Sequence, residues 1–386
     1  MTQLFSSGPR ARASGGRYNE PNYSFLDSSA WPSVDRVREF WEGWFAQYPD
    51  DKKAGLAARF RSFDDHPHLS AFLELFTFAV LKRGGYDLEV EPPAGTRALE
   101  FLASKATGDL AYYVECTTTG QRASEASADS REDDVNEAIN NVPTGRYVLG
   151  VSYPQRGAAA PPLKRIQQDV ARRMSSLAQG LPRECEWTWE DAGWSIRFWA
   201  VPYDTDAADD PDDVEGGLGF IGPKVFGRVE HLRLRAAIDR KASKYGNLDR
   251  PLLVVTNSTQ FQAERDLMTA LLGDVVWHID FASKTGSTGR KPNGVFYDAR
   301  GPRNVALSAV LHGHFGALSF ARDDQAFTLV HHPFSAHPLP RGLFPFCEEL
   351  HFDVASGDPV TVPAMSRVTE FFGLPSGWPH FDQDGG

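Results

Sequence analysis

The stretch HLSAFLELFTFAVLKRGGYDLEVEPPAGTRALEFLASKATGDLAYYVECT, residues 68–117, decides how the chain is read. Leu69, Phe72, Leu73, Phe76 and Val80 recur with the helical period of about 3.6 residues, and Gly84-Gly85 supplies a stop. A buried helix is expected there. Three β-prone runs follow, Tyr86 to Val90, Arg97 to Leu102 and Ala111 to Thr117, separated by Pro92, Pro93, Gly95 and Gly108. Helix followed by three-stranded meander is the simplest parse. On the third run, strand alternation puts Glu115 and Thr117 on one face and Val114 and Cys116 on the other. On the second, Glu100 stands between Leu99 and Phe101, and a hairpin brings it beside Glu115. Two adjacent buried carboxylates repel each other, so the pair persists only if protonated, bridged by a cation, or countered by a lysine or arginine. A hard divalent cation is the functional solution, whereas a glutamate on a strand, taken alone, is ordinarily a solvated side chain.

Working outward, residues 1–24 hold Arg10, Arg12 and Arg17 among Gly, Ser and Pro without a period that would bury a face, and read as a flexible N-terminal arm. Residues 25–61 read as an N-terminal helical segment, with Phe40, Trp41, Trp44 and Phe45 at helical spacing. Residues 62–258 form an α/β core with insertions. Its later parts include a short helix at Val135 to Ile139, a strand at Tyr147 to Tyr153 and a helix ending near Ala178. A tryptophan-rich hairpin turns near Asp191 to Gly193, an acidic solvated loop runs from Asp204 to Glu215, and a helix spans 229–245. Leu252, Leu253, Val254 and Val255 make a run apolar enough for a strand covered on both sides. Residues 259–386 read as a C-terminal α+β region, with a helix from Gln260 to Leu272. Strands are expected around Val275 to Phe281, Gly294 to Tyr297, Val305 to Leu311 and Phe327 to Val330. The expected class is α/β, a mixed central sheet flanked by helices, with a C-terminal α+β extension.

The chain has 386 residues, 41% hydrophobic and 24% charged, which is the composition of a folded globular protein. Cys116, Cys185 and Cys347 are too few and too scattered for a disulfide framework or a zinc ribbon and fit a reducing compartment. The polar N-terminus lacks the apolar run of a secretory signal or membrane span, so a cytoplasmic protein without a membrane partner is expected. A net charge of −11 argues against a protein that coats nucleic acid non-specifically, and leaves room for an enzyme with a local basic cleft. No P-loop, Rossmann glycine fingerprint or Gly-x-Ser-x-Gly elbow is present.

The arrangement in residues 68–117 resembles the restriction-endonuclease-like PD-(D/E)XK nuclease superfamily: an acid-bearing helix, a β-meander, an acid on the second strand and a Glu-x-Lys on the third. On that resemblance Glu74 is the helix acid, Glu100 the second-strand acid, and Glu115-Cys116-Thr117 the third-strand motif. Glu100 stands where the family usually has Asp, and Thr117 where it has its lysine. On the helix 229–245, Leu234, Ile238, Lys241 and Tyr245 share a stripe, so Lys241 sits on an otherwise apolar face and needs a partner. Members of the superfamily can supply the lysine from a neighbouring element, which makes Lys241 the candidate for orienting the attacking water or countering phosphate charge. The stretches KASKYGNLDRPLLVV, SAVL and HHPFSAHPLP also resemble a bacterial family of uncharacterised proteins sharing this core.

The resemblance implies Mg²⁺, or Mn²⁺, held by Glu100, Glu115 and the Cys116 carbonyl, with Glu74 further out and DNA as the expected partner. The alternative is an inactive nuclease-like fold that binds nucleic acid or protein as a regulatory module. A third class, an enzyme acting on small phosphate-containing ligands, stays open because fold does not fix function. His312 and His314, with His331, His332 and His337, offer a rival metal site. The loop Ser283 to Gly294 carries Lys284, Arg290 and Lys291 and reads as a flexible solvated loop able to touch phosphate.

Overall fold

The structure, a computed structural model, describes residues 2–17, 20–94, 97–119, 123–140, 142–145, 147–179, 184–202, 230–246, 248–258, 264–280, 285–353 and 358–381. Helices α1 (Asn22–Ser28), α2 (Pro32–Ala46), α3 (Asp50–Phe60) and α4 (Asp65–Arg83) come first. Strands β1 (Tyr86–Val90), β2 (Pro93–Ala94), β3 (Arg97–Ala98), β4 (Phe101–Lys105) and β5 (Ala111–Thr119) follow. Next are α5 (Ala123–Asn140), β6 (Tyr147–Gln155), α6 (Leu163–Ala178), β7 (Cys185–Asp191) and β8 (Trp194–Pro202). Then come α7 (Glu230–Ala242), β9 (Leu252–Ser258), α8 (Glu264–Leu272), β10 (Val275–Asp280), β11 (Thr285–Arg290), β12 (Tyr297–Asp298) and β13 (Gly301–Pro302). The chain closes with β14 (Leu307–Gly313), β15 (Phe327–His331), β16 (Glu348–Phe352), β17 (Pro359–Val362) and α9 (Val368–Phe372). It divides into two units, one holding Met1–Ser14, Pro21–Gly120 and Arg228–Gly386, the other Gly15–Glu20 and Gln121–Gly227.

The first unit is mixed α/β, built on an eight-stranded sheet in the order β1-β4-β5-β9-β14-β15-β16-β17. Strands β1, β4 and β5 form the expected antiparallel meander; β9 runs parallel to β5, and β14 parallel to β9. Helix α4 starts where the Asp64 side chain accepts the His66 N–H, a donor left over by the helical pattern. It is buried continuously from Ala71 to Leu81, as a helix apolar on nearly every side must be. One face of the sheet packs Tyr112, Val114, Cys116, Leu253 and Val255 with residues of α4. The other packs Leu252 and Val254 with Leu234 and Ile238 of α7 and with Leu267 and Leu271 of α8. The run LLVV is thus covered on both sides, as its sequence demands.

Several expectations are corrected. The start of the chain is anchored rather than free: Leu4 and Phe5 are buried, and their N–H groups donate to Glu42 Oε1 at 2.7 and 2.9 Å. Two apolar residues cannot show a period, yet they suffice to dock. Residues 259–386 are not a separate extension, because β14 to β17 continue the central sheet. The core expected over 62–258 is likewise split, residues 121–227 belonging to the second unit. The run Arg97 to Leu102 divides into β3 and β4 around Leu99 and Glu100. Residues 285–290, expected as loop, form β11 and pair with β10. A strand at Gly294 to Tyr297 shrinks to the two residues of β12. The acidic stretch 204–215 lies outside the described residues. Among those described, no helix is long and apolar enough to cross a membrane.

The second unit has its own core. Strands β6, β8 and β7 make an antiparallel sheet whose Leu149, Trp194, Ile196 and Phe198 pack with Val135 and Ile139 of α5. Ile166, Val170, Met174 and Leu177 of α6 complete it, spaced at three and four residues as one helix face requires. The tryptophan hairpin turns at Ala192 and Gly193, both at positive φ.

Candidate functional site

The β4–β5 ladder ends where Phe101 faces Val114, so the following pair would be Glu100 and Glu115. There the backbone of Glu100 turns aside, its carbonyl accepting the Glu91 N–H at 2.9 Å. Beyond Val114 the outer margin of β5 has lost its neighbouring strand. Odd-numbered residues of β5 turn their backbone groups toward the β9 side, as the Tyr113 N–H to Pro251 carbonyl bond shows. The Cys116 N–H therefore points to the bare margin, where Glu100 Oε2 accepts it at 3.0 Å. Strand geometry sends the Cys116 carbonyl to that same margin.

The other carboxylate oxygen, Glu100 Oε1, lies 2.9 Å from Lys241 Nζ, and the same ammonium donates to Glu115 Oε2. Leu234 and Ile238 bury their side of α7 in the core and so place Lys241, on the same stripe, over the two acids. The helix ends at Ala242, and the turn beyond it delivers two more groups. Lys244 Nζ stands 3.4 Å from Glu115 Oε1, and the Tyr245 hydroxyl contacts that oxygen as well as the Ala98 carbonyl, the latter at 2.8 Å.

Burial dominates the electrostatics. The Glu115 side chain has no exposure, Lys241 has 16%, Glu100 25% and Lys244 29%. Removal from water pushes the Glu115 acid up to about 8, and the hydrogen bond and charge of Glu100 push the same way against the pull of Lys241. Burial also drives Glu100 upward, but its bonds to Glu115 and Lys241 outweigh it and leave Glu100 below the usual carboxylate value. For Lys241, burial opposes the charge and the two carboxylates overcome it, so its pKa is raised. Of the two acids, Glu115 is the one that takes up a proton more readily and Glu100 the one that stays charged. The Tyr245 hydroxyl has a single proton for two oxygen partners, and an acid proton on Glu115 satisfies the second contact.

The chain matches no family model, no curated protein and no solved structure. Function is therefore read from the site itself.

Of the candidates named from sequence, Glu100, Glu115 and Lys241 meet, and the backbone of Cys116 joins them. The Cys116 thiol faces the opposite side, 3.4 Å from Thr77 Oγ1, and burial raises it well above a free thiol. Thr117 sits two residues along from Glu115 on the same strand face, in register with Thr256. Glu74 does not join the cluster. Tyr48 donates to its Oε1 at 2.6 Å and Arg59 pairs with its Oε2 at 2.8 Å, on the α4 side of the sheet. The rival histidine site does not assemble: His312 Nδ1 pairs with Thr256 Oγ1 at 2.8 Å and His314 Nδ1 with the Ser258 carbonyl at 2.7 Å. His332 is held between the Arg303 carbonyl and the Phe334 N–H. Lys244 and Tyr245 were missed as site residues, although Tyr245 lay on the Lys241 stripe and Lys244 only three residues on.

Among the described residues, no group of three or more His, Cys, Asp or Glu side chains is placed to hold a metal. Two carboxylates that already share one cation are still a suitable donor set for Mg²⁺, which usually takes one or two carboxylates and keeps several waters. The Cys116 carbonyl at the same margin would supply a third oxygen.

Proposed function

We propose that this chain is a Mg²⁺- or Mn²⁺-dependent nuclease that hydrolyses phosphodiesters, with DNA as substrate. The observation that carries the reading is one ammonium, Lys241, bridging two carboxylates from adjoining stretches of chain on a single sheet face. The order of elements supports it: helix α4, an antiparallel meander and an acid on β5 follow the PD-(D/E)XK order, with Glu100 one residue ahead of β4 where that family has its acid on the second strand. The helix acid of that pattern has no support here, since Glu74 is engaged by Tyr48 and Arg59.

Glu100, Glu115 and the Cys116 carbonyl would hold the metal. A bound divalent cation supplies charge stabilisation to the phosphate and lowers the pKa of water. Lys241 keeps the two carboxylates together and, from the position over them, orients the water and counters phosphate charge. Tyr245 fixes one Glu115 oxygen, so the acid approaches the reaction in one rotamer. The buried setting strengthens each of these interactions relative to water.

Purified protein is expected to cut DNA in Mg²⁺ or Mn²⁺ and not in EDTA. If Glu115→Ala cuts as well as the parent, the assignment is wrong. A second reading, an inactive nuclease-like binding module, draws on Thr117 at the family's lysine position and on the two lysines that neutralise the acids. It predicts no cleavage with any divalent ion and no metal-dependent thermal shift.

A further inference from the structure

We infer that the two lysines divide the work, Lys241 serving the carboxylates and Lys244 forming a subsite for a DNA phosphate next to the one being cut; this rests on the nuclease reading above. The two ammonium groups are held very differently. Lys241 emerges from α7 itself, touches both acids, and is the less exposed of the two. Lys244 follows the helix end and touches one acid only, at 3.4 Å, with its ammonium 4.7 Å from the Tyr245 ring centroid and its side chain 29% exposed.

The consequence of losing each contact also differs. Withdrawing Lys241 would leave buried Glu115 and half-buried Glu100 without their shared cation. Withdrawing Lys244 leaves Glu115 Oε1 still in contact with the Tyr245 hydroxyl, so no buried oxygen is orphaned. An ammonium that can leave its partner at so little cost, on a long flexible stem, suits a phosphate that arrives with the substrate. Its backbone is held in place meanwhile, because Arg97 Nη1 donates to the Lys244 carbonyl at 3.1 Å. Arg97 is itself exposed and adds a second positive charge at this rim, where the protein's net charge of −11 otherwise works against DNA.

The test measures binding of a fluorescein-labelled DNA duplex by anisotropy in Ca²⁺ over a range of salt, with cleavage in Mg²⁺ followed in parallel. Lys244→Gln is expected to weaken binding about tenfold and to reduce the slope of log affinity against log salt by about 1, the signature of one lost phosphate contact. Lys244→Arg, which keeps the charge, is expected to retain both affinity and slope, and neither variant should lower the melting temperature. A role confined to folding would not move the salt slope. Unchanged affinity and slope in Lys244→Gln overturns the subsite, even where cleavage depends on Glu115. A parent protein that does not bind the duplex overturns it too. Weakened binding and a reduced slope in Lys244→Gln, in a parent that never cleaves DNA, keep the phosphate contact at Lys244 and overturn the nuclease reading together with its place beside a cut phosphate.

Discussion

Two buried glutamates lie on opposite faces of one sheet, and they differ in how their charge is matched. Glu74 has one arginine and one tyrosine, each to its own oxygen, so a single negative charge is matched by a single positive one. Glu115 shares Lys241 with a second acid, and burial together with that acid pushes Glu115 up to about 8 while Glu100 is held low. Burial of an acid therefore marks little by itself. Competition between two acids for one cation is what sets the proposed site apart.

The largest expected effect tests this contrast directly. Glu115→Ala should lower Mg²⁺-dependent cleavage by about three orders of magnitude or more, as loss of a metal-holding carboxylate does, while Glu74→Gln leaves the rate within about threefold below its melting temperature. Equal losses in the two variants would erase the distinction. Next in size, Lys241→Met takes from the two site acids the cation they share, leaving buried Glu115 only the longer contact to Lys244, and should cost about 3–5 kcal/mol in urea unfolding. Adding Glu100→Gln to Lys241→Met should restore part of that loss, since the charge that Lys241 balanced goes with it while the acceptor for the Cys116 amide stays.

Acid stability extends the comparison to a histidine on each face. Burial, with a smaller push from His314, holds His312 down to about 4, and burial lowers His68 on the Glu74 side. A free histidine titrates near 6.5, so as pH falls the unfolded chain takes up the proton first and the fold loses stability. The contribution of His312 is whole above about pH 6.5 and is lost as pH drops toward 4, by at most about 3 kcal/mol. Thermal melts between pH 7 and 4 should show a shallower decline for His312→Asn than for the parent. An identical decline would show that the buried imidazole is not what titrates. The smallest effect is that of Tyr48→Phe, which removes one bond to Glu74 and should cost about 1 kcal/mol without touching cleavage.

What the sequence made legible was local. The period of α4, the alternation in β5 and the doubly apolar run of β9 are each written within a few residues, and the structure has all three. The meeting of Glu100, Glu115 and Lys241 was legible for a related reason: a charge on an otherwise apolar stripe requires a partner. Long-range matters were not. Nothing in the local pattern of β14 to β17 says that they extend the sheet begun by β1, because strand pairing is set by contacts between distant segments. The partners of Glu74 were not legible either, because Tyr48 and Arg59 reach it from the turn after α2 and from α3. The sequence pattern predicts helix through 245, on which Lys244 is one more lysine on a helical turn, whereas the helix ends at Ala242 and the turn beyond it carries Lys244 to Glu115.

Glu100 touches two parts of the protein at once, Oε2 closing the open margin of β5 at the Cys116 amide while Oε1 meets Lys241. Any occupant that draws this carboxylate inward must tug on that amide proton. The Cys116 N–H is thus a spectator with a direct line to the site: its NMR shift and its exchange with deuterated solvent should register arrival of a cation or a substrate before any bond is cut.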